Sequence, residues 1–151
     1  MSNSKPLGID DVSGFEFVKE MLNGDSTYGI NFDRIQWNKD ENKFVIFEWL
    51  LCDEKQPKVT PYSSHPNKYW FKNKHKFLGL WKITQQINGI LFLVNYSKKG
   101  TKNENEILLM KVLNVTENDT SNNFVQTENH QTTRDKFSKW FRQYNQKGNI
   151  D

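Results

Sequence analysis

The chain has 151 residues and a formal net charge of +3, with 35% hydrophobic and 14% aromatic residues. This length suits one domain, which we expect to cover residues 1–151. The single cysteine, Cys52, excludes an intramolecular disulfide and a zinc site built from several thiolates. No apolar stretch is long enough to predict a membrane span. We therefore expect a cytoplasmic protein without a membrane partner, in which Cys52 is a buried thiol.

The charged residues are unevenly distributed along the chain. From Lys55 to Lys102 there are ten lysines and no aspartate or glutamate. The segment before Lys55 has five basic and eleven acidic residues, and the segment after Lys102 has six basic and seven acidic residues. A surface with this local excess of positive charge attracts polyanions. The phosphate backbone of nucleic acid, and of DNA in particular, is the expected partner.

The first third of the chain predicts a helix followed by a β-hairpin. The predicted elements are a helix over 14–22, a strand over 31–37 and a strand over 44–52. Ser13 and Glu16 form a capping box at the start of the helix, and Asn23-Gly24 provides its stop. The short polar turn over 38–42 indicates that the two strands form a hairpin. The second strand is apolar on both faces, which is typical of a central strand covered on both sides.

The rest of the chain predicts a helix, two strands and a second amphipathic helix. The predicted elements are a loop over 56–66, a helix from Asn67 or Asn73 to Asn88, strands over 90–96 and 107–115, a polar loop over 116–131 and a helix over 133–146. The last helix has an aromatic stripe with spacing i, i+3, i+4, i+7. This order predicts a three-layer α/β domain, in which helices flank a central mixed four-stranded sheet, with the amphipathic helix as a C-terminal addition.

Glu48 is the anomaly of the second strand, because its own face of that strand otherwise carries Ile46 and Leu50. A buried glutamate shifts its pKa or requires a counter-charge, and a bound metal is one such charge. Asp33 begins the preceding strand, so hairpin pairing brings both acids to the same end of the sheet. Two carboxylates there suit Mg²⁺, or Mn²⁺ in its place. The alternatives are an ion pair of Glu48 with Arg34 or a lysine, a strand end that reaches solvent, and a turn role for Asp33.

These features together resemble the PD-(D/E)xK nuclease superfamily. The resemblance covers about residues 13–115 and rests on a helix, the segment GINFDRI (29–35), a turn and the buried segment VIFEWL (45–50). It implies a restriction-endonuclease-like core and an Mg²⁺-dependent DNA endonuclease or resolvase, which acts as a homodimer if two cuts on a duplex need two sites. The metal ligands that the resemblance implies are Asp33, Glu48, the main-chain carbonyl of Trp49 and, as an outer carboxylate, Glu20 or Glu16.

The sequence departs from this family at its lysine, which falls two residues after the second acid. Leu50 occupies that position here. Some family members supply the lysine from the helix after this strand, and the candidates are Lys72, Lys74, Lys76 and Lys82. Of these, Lys74 and Lys76 are our catalytic candidates. A non-catalytic nucleic-acid-binding module with a regulatory or inhibitory role, from a phage or mobile element, is the alternative function. A protein-interaction domain that binds an acidic partner is a third hypothesis.

The helix lysines also predict a nucleic-acid contact surface. Lys68, Lys72 and Lys76 have the spacing i, i+4, i+8 and form one basic ridge on a helix, although a solvated helix face has the same spacing. The predicted contact residues are Lys68, Lys72, Lys76, Lys82, His65 and Asn67. His65 and Asn67, with His75, also invite comparison with an HNH nuclease, which the flanking prolines and the lack of a third suitable histidine disfavour.

Overall fold

The computed structural model describes residues 10–150, which divide into two compact units separated after Asn31. The first unit contains one helix, α1 (Asp10–Leu22), followed by Asn23 and Gly24 with φ angles of 48° and 91°. The stop predicted at Asn23-Gly24 is therefore confirmed. The predicted start is wrong, because Ser13 lies inside the helix.

The second unit is built on a mixed five-stranded sheet. Its strands are β1 (Arg34–Asn38), β2 (Lys43–Leu51), β3 (Ile90–Tyr96), β4 (Ile107–Val115) and β5 (Val125–Thr132). They lie side by side in chain order; β2 and β3 are parallel, and the other neighbours are antiparallel. A short 3-10 helix (Pro66–Tyr69) and α2 (Trp70–Gln86) connect β2 to β3. The predicted α/β class and mixed sheet are confirmed, whereas the prediction of four strands is wrong.

The strand missed from the sequence is β5, which overlaps the end of the predicted polar loop over 116–131. It pairs with β4 from Val125 to Thr132, with an irregularity at Val112 and Asn114 of β4. Only its two end residues are buried, and the residues between them are polar. An edge strand pairs through its backbone groups with a single neighbouring strand. It can therefore form without the alternation of apolar and polar side chains that marks a strand in a sequence.

The two faces of the sheet bury different cores. On one face α2 packs over aliphatic residues of the strands, including Ile46, Leu50, Leu91, Leu93, Leu108 and Met110. On the other face α3 (Arg134–Gln146) packs its predicted aromatic stripe, Phe137, Trp140, Phe141 and Tyr144, against Val45, Phe47, Phe92 and Val94. Cys52 is buried, as expected, and burial raises the pKa of its thiol.

Phe47 is the centre of the aromatic core, so its truncation is expected to be costly. Its ring lies 5.4–6.2 Å from the rings of five aromatic residues on β2, β3 and α3. We expect Phe47→Ala to lower the free energy of unfolding by about 3–5 kcal/mol in urea titrations. Phe71→Ala is the control, because Phe71 is 77% exposed, and we expect a loss below about 1 kcal/mol. Losses of equal size would contradict this assignment of the core.

Candidate functional site

Asp33 and Glu48 lie beside each other at one end of the β1–β2 hairpin. The last residue pair of this ladder joins Arg34 to Phe47, so the next step of the same register places Asp33 opposite Glu48. Residues directly opposite each other in an antiparallel pair have Cβ atoms about 4.5–5.5 Å apart. Arg34 stacks on Phe141 on the α3 side of the sheet. Because side chains alternate along strands, the two acids belong to the α2 side.

Glu48 is buried and paired with a lysine of α2. Only 5% of its surface is exposed, and its Oε1 lies 3.0 Å from Nζ of Lys76. Its Oε2 has no hydrogen-bond partner within residues 10–150. Burial raises the pKa of Glu48, Lys76 offsets part of this rise, and the nearby charge of Asp33 adds to it. Of the counter-charges considered from the sequence, the structure therefore provides a lysine and not Arg34.

Asp33 is exposed and fixes the backbone at the end of β2. Its Oδ2 accepts a hydrogen bond of 2.8 Å from the backbone N–H of Trp49. The β1–β2 ladder ends before Trp49, so Asp33 replaces a missing strand partner there. The N–H and C=O of one strand residue point to the same side of the strand. The carbonyl of Trp49 therefore points to the Asp33 side, as the predicted ligand set requires.

The lysines predicted to assist catalysis occupy different positions around α2. Lys74 lies two residues before Lys76, which rotates it by about 200° around the helix axis. Its Nζ is 4.0 Å from Glu117, whereas Lys76 contacts Glu48. A catalytic role for Lys74 stays a prediction. Lys82 is exposed and lies about 9 Å beyond Lys76 along the axis. Glu20 belongs to α1 in the first unit, so its role as an outer carboxylate stays a prediction.

His65 and Asn67 make hydrogen bonds inside the fold, and their assignment as nucleic-acid contacts stays a prediction. His65 Nδ1 accepts from the backbone N–H of Asn67, and its Nε2 lies 2.9 Å from Oγ1 of Thr127. Asn67 accepts from the N–H of Val125 and donates to the carbonyl of that residue. Both side chains thus join the 3-10 helix to β5. Burial, followed by the charge of Lys68, lowers the pKa of His65 and keeps it neutral near pH 7.

A cleft of about 790 Å³ opens at the carboxyl ends of the parallel strands β2 and β3. Residues from the ends of both strands, including Leu50 and Asn95, form part of its lining. Four lysines also line it: Lys55, Lys58, Lys68 and Lys72. Sequence reasoning assigned the last two to nucleic-acid contacts and missed the first two. Lys55 and Lys58 could have been found from the helical crossover between two parallel strands. Ligands of open α/β sheets bind outside the carboxyl ends of such strands, where these two lysines lie.

The acidic pair has the chemistry of a site for a hard divalent cation. It offers the unpaired Oε2 of Glu48, the exposed carboxylate of Asp33 and the carbonyl of Trp49 on the same side. Oxygen ligands of this kind suit Mg²⁺, which keeps several waters in its coordination sphere. The residues thus fit the cation that the sequence predicts. Among residues 10–150, no cluster of three or more histidine, cysteine, aspartate or glutamate side chains could hold a metal ion.

The fold defines the chain as an α/β domain with a mixed five-stranded sheet. No protein-family model, curated protein or solved structure matches it. Between residues 10 and 150, no helix has the length and apolar character needed to cross a membrane. The PD-(D/E)xK resemblance therefore stays a prediction from the sequence.

The pairing of Lys76 with Glu48 predicts a pH-dependent effect on stability. Lys76→Met raises the pKa of Glu48 further above the ordinary value of 4.5, because burial and the charge of Asp33 still raise it and only the smaller lowering by the Asp33 backbone remains. The free energy of unfolding should then fall as the pH rises above 4.5 and the buried carboxyl ionises. We expect a loss of about 2 kcal/mol near neutral pH. The loss should disappear below pH 4.5, where Glu48 is protonated in both folded and unfolded chains.

Urea unfolding across this pH range measures the effect. Lys74→Met is the matched control, because Lys74 lies on the same helix and its partner Glu117 is more than half exposed. An equal loss in both variants, or a loss that does not change with pH, would contradict the pairing.

Proposed function

We propose that the chain is a metal-dependent nuclease that cleaves phosphodiester bonds, an endonuclease or resolvase of the PD-(D/E)xK type acting on DNA. One observation carries the proposal: the buried Glu48 has Asp33 beside it, just before β1, and Lys76 against it on α2. The lysine absent at Leu50 thus has a substitute on the helix after the strand. This is the variation by which some members of that family supply their lysine.

In this proposal each group has a defined task. Asp33, Glu48 and the carbonyl of Trp49 would hold Mg²⁺ or Mn²⁺, which when bound stabilises the charge of the reacting phosphate and lowers the pKa of water. Lys76 keeps the Glu48 carboxylate in place through Oε1, so that Oε2 remains available. Its ammonium also provides the positive charge that orients the attacking water. Asp33 holds the end of β2 through the N–H of Trp49.

The second candidate is a non-catalytic nucleic-acid-binding module with a regulatory or inhibitory role. The observation that favours it is that both acids already have partners within the fold. Oε1 of Glu48 is engaged by Lys76, and Oδ2 of Asp33 is engaged by Trp49. A purely structural ion pair would look the same. The basic cleft would then bind phosphates without the acids taking part.

Cleavage assays distinguish the two candidates. We expect the protein to nick supercoiled plasmid or cut single-stranded circular DNA with Mg²⁺ or Mn²⁺, and EDTA to abolish the reaction. Glu48→Gln and Asp33→Asn should lower the rate at least about a hundredfold, which corresponds to several kcal/mol of transition-state stabilisation. Lys76→Gln should lower it similarly, because no described lysine other than Lys76 forms an ion pair with Glu48.

Lys74→Gln is the matched control for the nuclease assay and should retain the wild-type rate, because Lys74 faces Glu117. Salt-sensitive DNA binding without any cleavage would refute the nuclease proposal and support the binding module. Cleavage that survives Glu48→Gln would place the chemistry elsewhere. If the protein cuts both strands of a duplex, two sites are needed, and sedimentation of the active protein should show a homodimer.

A further inference from the structure

The cleft at the carboxyl ends of β2 and β3 collects lysines that are distant in the sequence. Lys55 and Lys58 come from the loop after β2, and Lys68 and Lys72 come from the 3-10 helix and the first turn of α2. Lys55, Lys58, Lys68 and Lys72 all have exposed side chains. None of the described residues that line the cleft is acidic. Asp53 and Glu54 belong to the same loop but do not line the cleft. A cleft with this balance attracts phosphate groups.

One wall of the cleft is held in place by hydrogen bonds, of which those of Asn95 are buried. Asn95 of β3 is 0% exposed, and its Nδ2 donates to the carbonyls of Pro61 and Ser64. Nζ of Lys68 donates to the carbonyl of Ser63, 2.5 Å away. These bonds fix the segment over 61–64 against the sheet, so the cleft is formed before a ligand arrives.

An unsatisfied polar atom lies among the cleft residues. Oδ1 of Asn95 is buried and accepts no hydrogen bond from any described residue. Buried polar atoms without a partner are uncommon and call for an explanation. A donor group of a bound ligand, or a water that the ligand orders, would satisfy this oxygen. Cationic walls together with a polar acceptor suit a nucleotide better than a simple inorganic anion.

The size of the cleft restricts which nucleic acid can enter it. A volume of about 790 Å³ is within the 300–1,000 Å³ range of sites for compact organic ligands, the scale of one or two nucleotides. A duplex, whose major groove alone is about 12 Å wide, cannot be enclosed in a volume of this size. Tyr69 also lines the cleft, and aromatic residues beside lysines are typical of single-strand binding grooves. We propose that this cleft binds the backbone of an unpaired nucleic-acid strand, of DNA or RNA.

The position of the cleft connects this strand to the acidic pair. Leu50 lies two residues after Glu48 on the same face of β2, a distance of about 7 Å. Lys72 lies one helical turn before Lys76, a distance of about 6 Å along α2. A strand in the cleft therefore ends beside Asp33 and Glu48. In this respect the inference rests on the proposed nuclease and narrows its substrate to nucleic acid with an unpaired segment.

Fluorescence anisotropy in EDTA tests the cleft without requiring catalysis. The probes are labelled oligothymidylate and oligouridylate of about ten nucleotides and a labelled hairpin duplex with the same number of phosphates. We expect at least one single strand to bind about tenfold more tightly than the duplex. The double variant Lys55→Gln/Lys58→Gln should weaken this binding about tenfold and reduce the slope of log K against log salt by about 1.4.

Lys136→Gln/Lys139→Gln is the control, because it removes the same charge from exposed positions on α3, on the opposite face of the sheet. It should leave both affinity and slope nearly unchanged. Equal losses in the two double variants, duplex binding as tight as single-strand binding, or no binding would overturn the inference. Cleft-dependent binding without cleavage in the metal assay would refute the nuclease alone, so the two failures are distinguishable.

Discussion

The burial of a carboxylate in the central strand is the constraint on which the functional argument depends. β2 is covered by α2 on one face and α3 on the other, so every side chain in its middle is removed from water. Burial at this position raises the pKa of Glu48 even though Lys76 lies 3.0 Å away. A buried ion pair is a weak source of stability, and apolar residues of similar volume often do as well. Stability alone therefore does not account for the pair.

The two faces of the sheet differ in composition. The α3 face is an aromatic core in which Phe47 contacts the stripe of the helix. Arg34 closes its edge by stacking on Phe141 and donating to Asn145. The α2 face carries the acids, Lys76 and the basic cleft. Alternation along β1 and β2 sends neighbouring residues to opposite faces, which is why Arg34 cannot serve as the counter-charge of Glu48.

The parallel pairing of β2 and β3 organises the lysines. A crossover between parallel strands must return along the sheet, so the loop after β2 and the start of α2 lie at the same edge. Lys55 and Lys72 are far apart in sequence and meet there for this reason. The hydrogen bonds of Asn95 to the intervening loop fix this arrangement. Lysines of the segment over 55–102, which contains no aspartate or glutamate, thus line a cleft near the acidic pair.

The sequence by itself determined β3 (Ile90–Tyr96) and β4 (Ile107–Val115) to the residue, the aromatic stripe of α3 and the need of Glu48 for a counter-charge, because each follows from local pattern or burial. β5 could not be predicted, because this edge strand is held by backbone pairing and its sequence shows no alternation of apolar residues. Only the tertiary structure decided that Lys76 and not Lys74 meets Glu48. Which lysine meets Glu48 depends on how α2 is rotated about its axis over β2. The sequence places both lysines in one polar segment and does not specify that rotation.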